Sequence, residues 1–267
     1  MAKLTIPEVK DRKASGGKLT MLTAYDYPTA RLVDAAGIDL ILVGDSLGMV
    51  CLGYPDTVPV TMDEMAHHTA AAARGAERAL VIADLPFLSY QVSAEDAVRN
   101  AGRLFKEARA DGVKLEGGRT QADKVAAVVR AGIPVMGHIG LTPQTATQLG
   151  GFRVQGKAPE AAQALLDDAR ALEDAGAFAV VVECVPTSLG QRVTRSLSIP
   201  TIGIGAGPHC DGQVLVLHDL VGLFDRFVPK FVKRYANLAD EIREAAARYR
   251  EEVDSGAFPG EEHQFGG

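Results

Sequence analysis

Short runs of apolar residues recur along the chain, each preceded by an Ala-rich amphipathic stretch that closes on a glycine. A continuous Val/Ile/Leu run of this length reads as a strand buried on both faces, as in a parallel sheet. The pattern predicts strands at 21–24, 40–43, 80–83, 113–115, 135–137, 178–182, 201–204 and 214–217. Gly37, Gly75, Gly112, Gly132 and Gly176 stand where each helical stretch gives way to a strand and read as C-caps. Ser93 with Asp96, and Thr120 with Asp123, read as helix N-caps with acidic first turns. Eight strands alternating with helices predict an α/β protein, a (β/α)8 TIM barrel in a single domain spanning residues 1–267. Periodicity does not fix strand order, so a doubly wound open sheet is the structural alternative. A charged amphipathic helix is predicted over 237–252, and the tail from Ser255 reads as a surface appendage.

Three of the apolar runs end on a carboxylate: Asp45, Asp84 and Glu116. Parallel strands deliver their C-terminal ends to one rim, where three carboxylates repel unless positive charge lies between them. A hard cation held through oxygen, Mg2+ first, answers that need. Lys114 and Glu116 are two apart on one strand and face the same side. They read either as a buried ion pair or as a metal-side Glu beside a Lys for a substrate carboxylate, and the two are compatible. His138 and Glu183 also close strands. Glu183 follows Ala179-Val180-Val181-Val182, a setting that strips solvent from a carboxylate and favours its neutral form, as a general base requires. An isolated Asp after a strand is ordinarily a cap; polar or Gly-rich groups at seven strand ends are not explained that way.

Other candidates carry less. Gly203-Ile204-Gly205-Ala206-Gly207 lacks the dinucleotide fingerprint and reads as a tight turn or a close approach to a ligand. Glu64 and His67 have metal-ligand spacing without support, and His67 and His68 read as packing and surface residues. The roles of Tyr25, Asp26, His218 and Asp219, structural or supporting the site, stay open.

With 267 residues, 47% of them hydrophobic, the chain is long enough for one large core. A net charge of -6 with scattered Lys and Arg argues against a nucleic-acid partner. Cys51, Cys184 and Cys210 form no C-x-x-C pair and suggest no disulfide framework. There is neither a signal-peptide pattern nor a membrane-length apolar run, so a soluble cytoplasmic protein is expected.

Read in order, the strand ends resemble one family. The blocks are Val43-Gly44-Asp45-Ser46-Leu47-Gly48-Met49, Ala83-Asp84-Leu85-Pro86-Phe87 and Val113-Lys114-Leu115-Glu116-Gly117-Gly118. Gly137-His138-Ile139-Gly140-Leu141-Thr142-Pro143-Gln144, Glu183-Cys184-Val185-Pro186, Ile202 to Gly207 and Pro259-Gly260-Glu261-Glu262-His263 continue them. Together they resemble the ketopantoate hydroxymethyltransferases from about Thr20 to His263. The resemblance implies a barrel of the phosphoenolpyruvate mutase/isocitrate lyase type, one Mg2+ per subunit, and a homodecamer of two stacked pentamers. It implies transfer of a hydroxymethyl group from 5,10-methylenetetrahydrofolate to 3-methyl-2-oxobutanoate through a Mg-stabilised enolate, giving ketopantoate, the first committed step of pantothenate biosynthesis. Asp45, Asp84 and Glu116 would form the metal site, directly or through water. Asp45, Ser46, Asp84, Lys114 and His138 would contact the 2-oxo acid, and Glu183 would be the base. No residue is assigned to folate. A lyase or mutase on the same barrel is the nearest rival, marked by a nucleophilic cysteine loop for which no motif is found. A non-catalytic metabolite-binding barrel is the rival from another class.

Overall fold

The computed structural model describes residues 3–224 and 226–266. Two compact units divide the chain, Met1–Val216 and Leu217–Gly267. The first is a closed barrel of eight parallel strands in sequence order: β1 Leu19–Thr23, β2 Leu40–Val43, β3 Leu80–Asp84, β4 Gly112–Glu116, β5 Val135–Gly140, β6 Ala179–Glu183, β7 Thr201–Ile204 and β8 Gly212–Leu215. Closure between β8 and β1, with Met21 beside Val214, excludes the open sheet. Helix α1 (Ile6–Ser15) precedes β1, and α2 (Tyr27–Ala35) follows it. The later connections carry α3 (Leu47–Val50), α4 (Met62–Gly75), α5 (Ala94–Gly102), α6 (Ala122–Arg130), α7 (Pro159–Asp174) and α8 (Thr187–Ser196). The alternation breaks once. No helix lies between β7 and β8, and residues 205–211 bring the chain back alone through two left-handed glycines, Gly205 and Gly207.

The strand period of two sorts side chains between the barrel interior and the helices. Leu19 and Met21, Leu40 and Leu42, Leu80 and Ile82, Ala179 and Val181 belong to one buried cluster with Val9 of α1, against which Leu4 and Ile6 also pack. Continuing the inward alternation toward the C-terminal rim reaches Asp84 on β3, Lys114 and Glu116 on β4, His138 on β5 and Glu183 on β6. The interior is therefore apolar below and ionisable above, and register places Lys114 beside Asp84 and Glu116 beside His138.

The opposite rim is closed by acid clamps. Asp39, just before β2, accepts hydrogen bonds through Oδ2 from the Thr20 backbone N–H (3.0 Å) and hydroxyl (2.9 Å). Asp211, before β8, repeats this on Thr201 (2.8 and 3.0 Å), and Asp111, before β4, accepts from Val81 N–H (2.8 Å). The N-terminal segment lays one cation under each: Lys3 on Asp111 at 2.7 Å, Arg12 on Asp39 at 3.6 Å and Lys13 on Asp211 at 2.8 Å.

Local signals held unevenly. Ser93 caps α5 by accepting from Asp96 N–H, and Gly37, Gly132 and Gly176 adopt the left-handed conformation after their helices. Gly75 instead ends α4, where a side chain would strike the Tyr27 carbonyl, and Gly112 opens β4. Thr120 is not an N-cap: it lies in a 3-10 turn, Arg119–Gln121, and α6 begins after Gln121 without a side-chain cap.

The second unit contains a helix over Leu238–Ser255 with no buried residue, ended by left-handed Gly256. Its tail lies at the surface, as expected, and is tied locally to the helix. Phe258 packs against Tyr249 and His263, with ring centroids 5.6 and 5.1 Å away. No helix among the described residues is long and apolar enough to cross a membrane.

Candidate active site

Each predicted strand-end residue of the barrel lies at its C-terminal rim, as expected of groups carried on βα ends. Asp84 ends β3, and its Oδ2 accepts the Asp45 backbone N–H at 3.1 Å. Gly44 leaves room for the next turn: a Cβ there would lie 2.8 Å from Ser46 Oγ and 3.4 Å from Asp84 Oδ2. Lys114 Nζ lies 3.0 Å from Asp84 Oδ1 and 3.2 Å from His138 Nδ1. The positive charge required among the carboxylates is thus partly Lys114 itself, paired with Asp84 rather than with Glu116.

His138 is the hinge of the cluster. Its Nδ1 is 3.4 Å from Glu116 Oε1 and its Nε2 is 3.1 Å from Glu183 Oε2, the latter without hydrogen-bond alignment. Burial and the Lys114 charge pull its pKa down, but Glu116 and Glu183 outweigh them and hold it at about 9. The two glutamates thus favour the protonated imidazole, whose ring nitrogens lie between Lys114, Glu116 and Glu183. Burial also opposes the Lys114 charge, yet Asp84, Glu116 and Asp45 together keep the ammonium well above its ordinary range. Burial, then the charges of Asp84 and Glu116, push Asp45 well above a normal carboxylate, against the pull of Lys114 and Gln144. Burial likewise raises Asp84, with Lys114 opposing.

Glu183 is less fully buried than its neighbours: its side chain retains 15% of its surface while His138 retains 3%, so it is largely withdrawn from solvent yet reaches the rim. Two backbone features deliver it there. Cys184 takes a left-handed φ of 48°, and Gly140 leaves room where a Cβ would sit 2.2 Å from the Glu183 carbonyl oxygen. Ser46 Oγ hydrogen-bonds Tyr25 Oη at 2.9 Å, and His68 Nδ1 donates to the Tyr25 carbonyl at 2.6 Å. Asp26 has a structural role as the N-cap of α2, accepting from Thr29 N–H at 2.8 Å. Glu64 caps α4 reciprocally with Thr61, which explains its spacing without a metal. His218 and Asp219 lie in the second unit, in a single helical turn.

Asp45, Asp84 and Glu116 are not assembled as a three-ligand cage, and among the described residues no group of three or more His, Cys, Asp or Glu is. Glu116 instead accepts the Gln144 backbone N–H and faces His138. The donor set nonetheless suits a hard divalent ion bound by few protein oxygens and several waters. Asp84 Oδ1 is buried, with Lys114 Nζ 3.0 Å away but out of hydrogen-bond alignment, and four carboxylates crowd around Lys114 and His138. Asp45 and Asp84 could hold such an ion directly.

Sequence reasoning assigned no role to Gln144 or Tyr90, both buried. Gln144 Nε2 donates to Asp45 Oδ2 at 2.8 Å and to the Leu85 carbonyl at 2.9 Å, and Tyr90 Oη donates to Gln144 Oε1 at 2.8 Å. Gln144 stood within a matching block, which was the only signal.

A model of a family described as ketopantoate hydroxymethyltransferase matches residues 3–261. A protein of Heliobacterium modesticaldum named 3-methyl-2-oxobutanoate hydroxymethyltransferase is 63% identical over 99% of this chain and 96% of its own length. A Moorella thermoacetica protein of the same name is 62% identical over 99% and 98%. Among solved structures, phosphonopyruvate hydrolase complexed with oxalate and Mg++ superposes with a TM-score of 0.64 at 17% identity, covering 97% of this chain and 93% of that one. A 2,3-dimethylmalate lyase of the PEP mutase/isocitrate lyase superfamily gives 0.58 at 15%, covering 98% and 91%. At these identities the two structures establish the shared barrel fold.

Proposed function

The chain belongs to the ketopantoate hydroxymethyltransferase family, and from that premise we propose that it transfers a hydroxymethyl group from 5,10-methylenetetrahydrofolate to 3-methyl-2-oxobutanoate with Mg2+ as cofactor. The observation that carries the reading is one rim on which three buried carboxylates, Asp45, Asp84 and Glu116, crowd Lys114 and His138 beside a partly exposed fourth, Glu183. The oxalate and Mg++ named with the phosphonopyruvate hydrolase structure are consistent with a 2-oxo acid and a divalent ion on this type of barrel.

Asp45 and Asp84 would hold the ion, with Glu116 acting through water. When bound, Mg2+ supplies a Lewis acid for the keto oxygen and for the enolate charge that follows deprotonation. Lys114 and Ser46 orient the substrate carboxylate, and His138 contributes a ring nitrogen beside it. Glu183 takes the C3 proton, and its exposure lets that proton leave to solvent. The nucleophilic C3 then forms a carbon–carbon bond to the folate-borne one-carbon unit, and the carbon–nitrogen bonds to folate break. Water supplies the hydroxyl oxygen, giving ketopantoate and tetrahydrofolate. Tyr25 fixes Ser46 through its hydroxyl. A cytoplasmic homodecamer belongs to the same proposal, on the strength of family membership.

The test is NMR of 3-methyl-2-oxobutanoate in D2O with enzyme and Mg2+, without folate. Loss of the C3 proton signal only with the metal supports the reading. Silence there but ketopantoate formation with folate restricts the base to the ternary complex. Silence in both refutes the transferase.

A further inference from the structure

Of the carboxylates on the rim, two are held by one uncharged residue from a different strand end. Gln144 lies in the short turn after β5, and its amide reaches across the barrel mouth to β2 and β3. Its two Nε2 hydrogens are both used, one on Asp45 Oδ2 at 2.8 Å and one on the Leu85 carbonyl, next to Asp84, at 2.9 Å. Its backbone N–H holds Glu116 Oε2 at 3.0 Å. An amide side chain can present either end, and here Tyr90 decides which. The phenol accepts the Glu116 backbone N–H at 3.2 Å and has two acceptors for its single proton, Gln144 Oε1 at 2.8 Å and the Glu116 carbonyl at 3.0 Å, while Gln91 Nε2 also donates to Gln144 Oε1 at 3.3 Å. With Oε1 turned to these donors, only Nε2 can face Asp45. Gln144 is 4% exposed and Tyr90 1%, so water cannot substitute for either partner.

We infer that Gln144, oriented by Tyr90, is the positioning residue of the divalent-cation site: it engages Asp45 Oδ2 so that the carboxylate is held in one rotamer for the ion. The inference rests on the proposed assignment of Asp45 and Asp84 as metal ligands. A donor on one oxygen of a ligating carboxylate fixes its orientation, and removing such a partner typically weakens metal affinity about 10–100-fold.

The experiment is Mn2+ titration of the purified full-length enzyme by electron paramagnetic resonance, following loss of the free-ion signal, alongside the thermal midpoint. Gln144→Met keeps the volume and removes both donors; it should raise the Mn2+ dissociation constant about 10–100-fold. Turnover should recover as the metal saturates, so that the loss lies in the metal constant rather than in kcat. Tyr90→Phe removes the nearer donor to Oε1, leaving Gln91 Nε2 at 3.3 Å, and should weaken Mn2+ in the same direction by a smaller factor. A folded Gln144→Met enzyme with the wild-type Mn2+ constant overturns the inference, as does a lowered kcat with that constant unchanged. If Gln144→Met does not fold, wild-type binding by Tyr90→Phe overturns it. Absence of Mn2+ binding by the wild-type enzyme would instead overturn the metal assignment itself, and the positioning role with it.

Discussion

Lys114→Met tests the electrostatic account of the site most directly, because it removes one charge while nearly preserving volume. Lys114 Nζ lies 3.0 Å from Asp84 Oδ1, and both side chains are about 95% buried, with 5% and 4% of their surface exposed. At an effective dielectric of 20, a pair at that distance interacts by about 5.5 kcal/mol. Desolvation of the two ions offsets much of this in the intact pair, but deleting the lysine alone leaves buried Asp84 without its charge partner, either ionised at a cost or driven to take up a proton. The expected cost is therefore about 3–5 kcal/mol. For a chain of this size that lowers the thermal midpoint by roughly 6–20 °C. The assay is thermal unfolding in EDTA at neutral pH, read by circular dichroism. The double variant Lys114→Met/Asp84→Asn removes both charges and should regain more than half of the loss, a coupling that only a direct interaction produces. Lys114→Met within about 1 kcal/mol of wild type, or a double variant no better than the single, would refute the reasoning.

Glu183→Gln should leave the fold and Mn2+ binding intact while lowering C3 proton exchange about 10²–10⁴-fold; near-normal exchange removes Glu183 from the base role. Burial, and then the Glu183 charge, push the Cys184 thiol up to about 11. Both causes disfavour the thiolate, so at pH 8 about one thiol in a thousand is reactive. Iodoacetamide labelling mapped by peptide mass spectrometry should rise about tenfold per pH unit toward 11 and be faster at pH 8 in Glu183→Gln; labelling at an ordinary thiol's rate contradicts the assignment. Asp211→Ala deletes the acceptor of the Thr201 N–H and hydroxyl and the partner of Lys13. It should cost about 2–4 kcal/mol in urea unfolding without changing the Mn2+ constant. A change confined to metal binding would mean the two rims are coupled.

Chemistry was easiest to anticipate where it interrupted a strong periodic signal. Asp84, Lys114, Glu116, His138 and Glu183 each continue the alternation of an apolar strand, so their shared rim follows from the period of two once the sheet is parallel. Gln144 and Tyr90 sit in irregular turns, where no periodicity says which way a side chain points. Their importance comes from long-range contacts, 99 residues from Gln144 to Asp45. The exact placement of Glu183 at the rim was hidden for a similar reason, since it depends on the left-handed Cys184 and the bare Gly140 beside it. Thr120 failed as a cap because a 3-10 turn displaced the start of α6, and the missing helix before β8 replaced an assumed repeat with two left-handed glycines.

The cationic underside of the barrel also constrains the order in which the molecule can be assembled. Lys3, Arg12 and Lys13 leave the ribosome first, yet Asp39, Asp111 and Asp211 follow at widening intervals, the last 198 residues after Lys13. β1 has β2 as an early neighbour, but its other edge pairs with β8. Such distant pairings form slowly because a long stretch of chain must be ordered before they are made. Helix α1, made before any strand of the barrel, is thus among the last elements to be fully seated, and closure of the ring and docking of α1 converge on one late event.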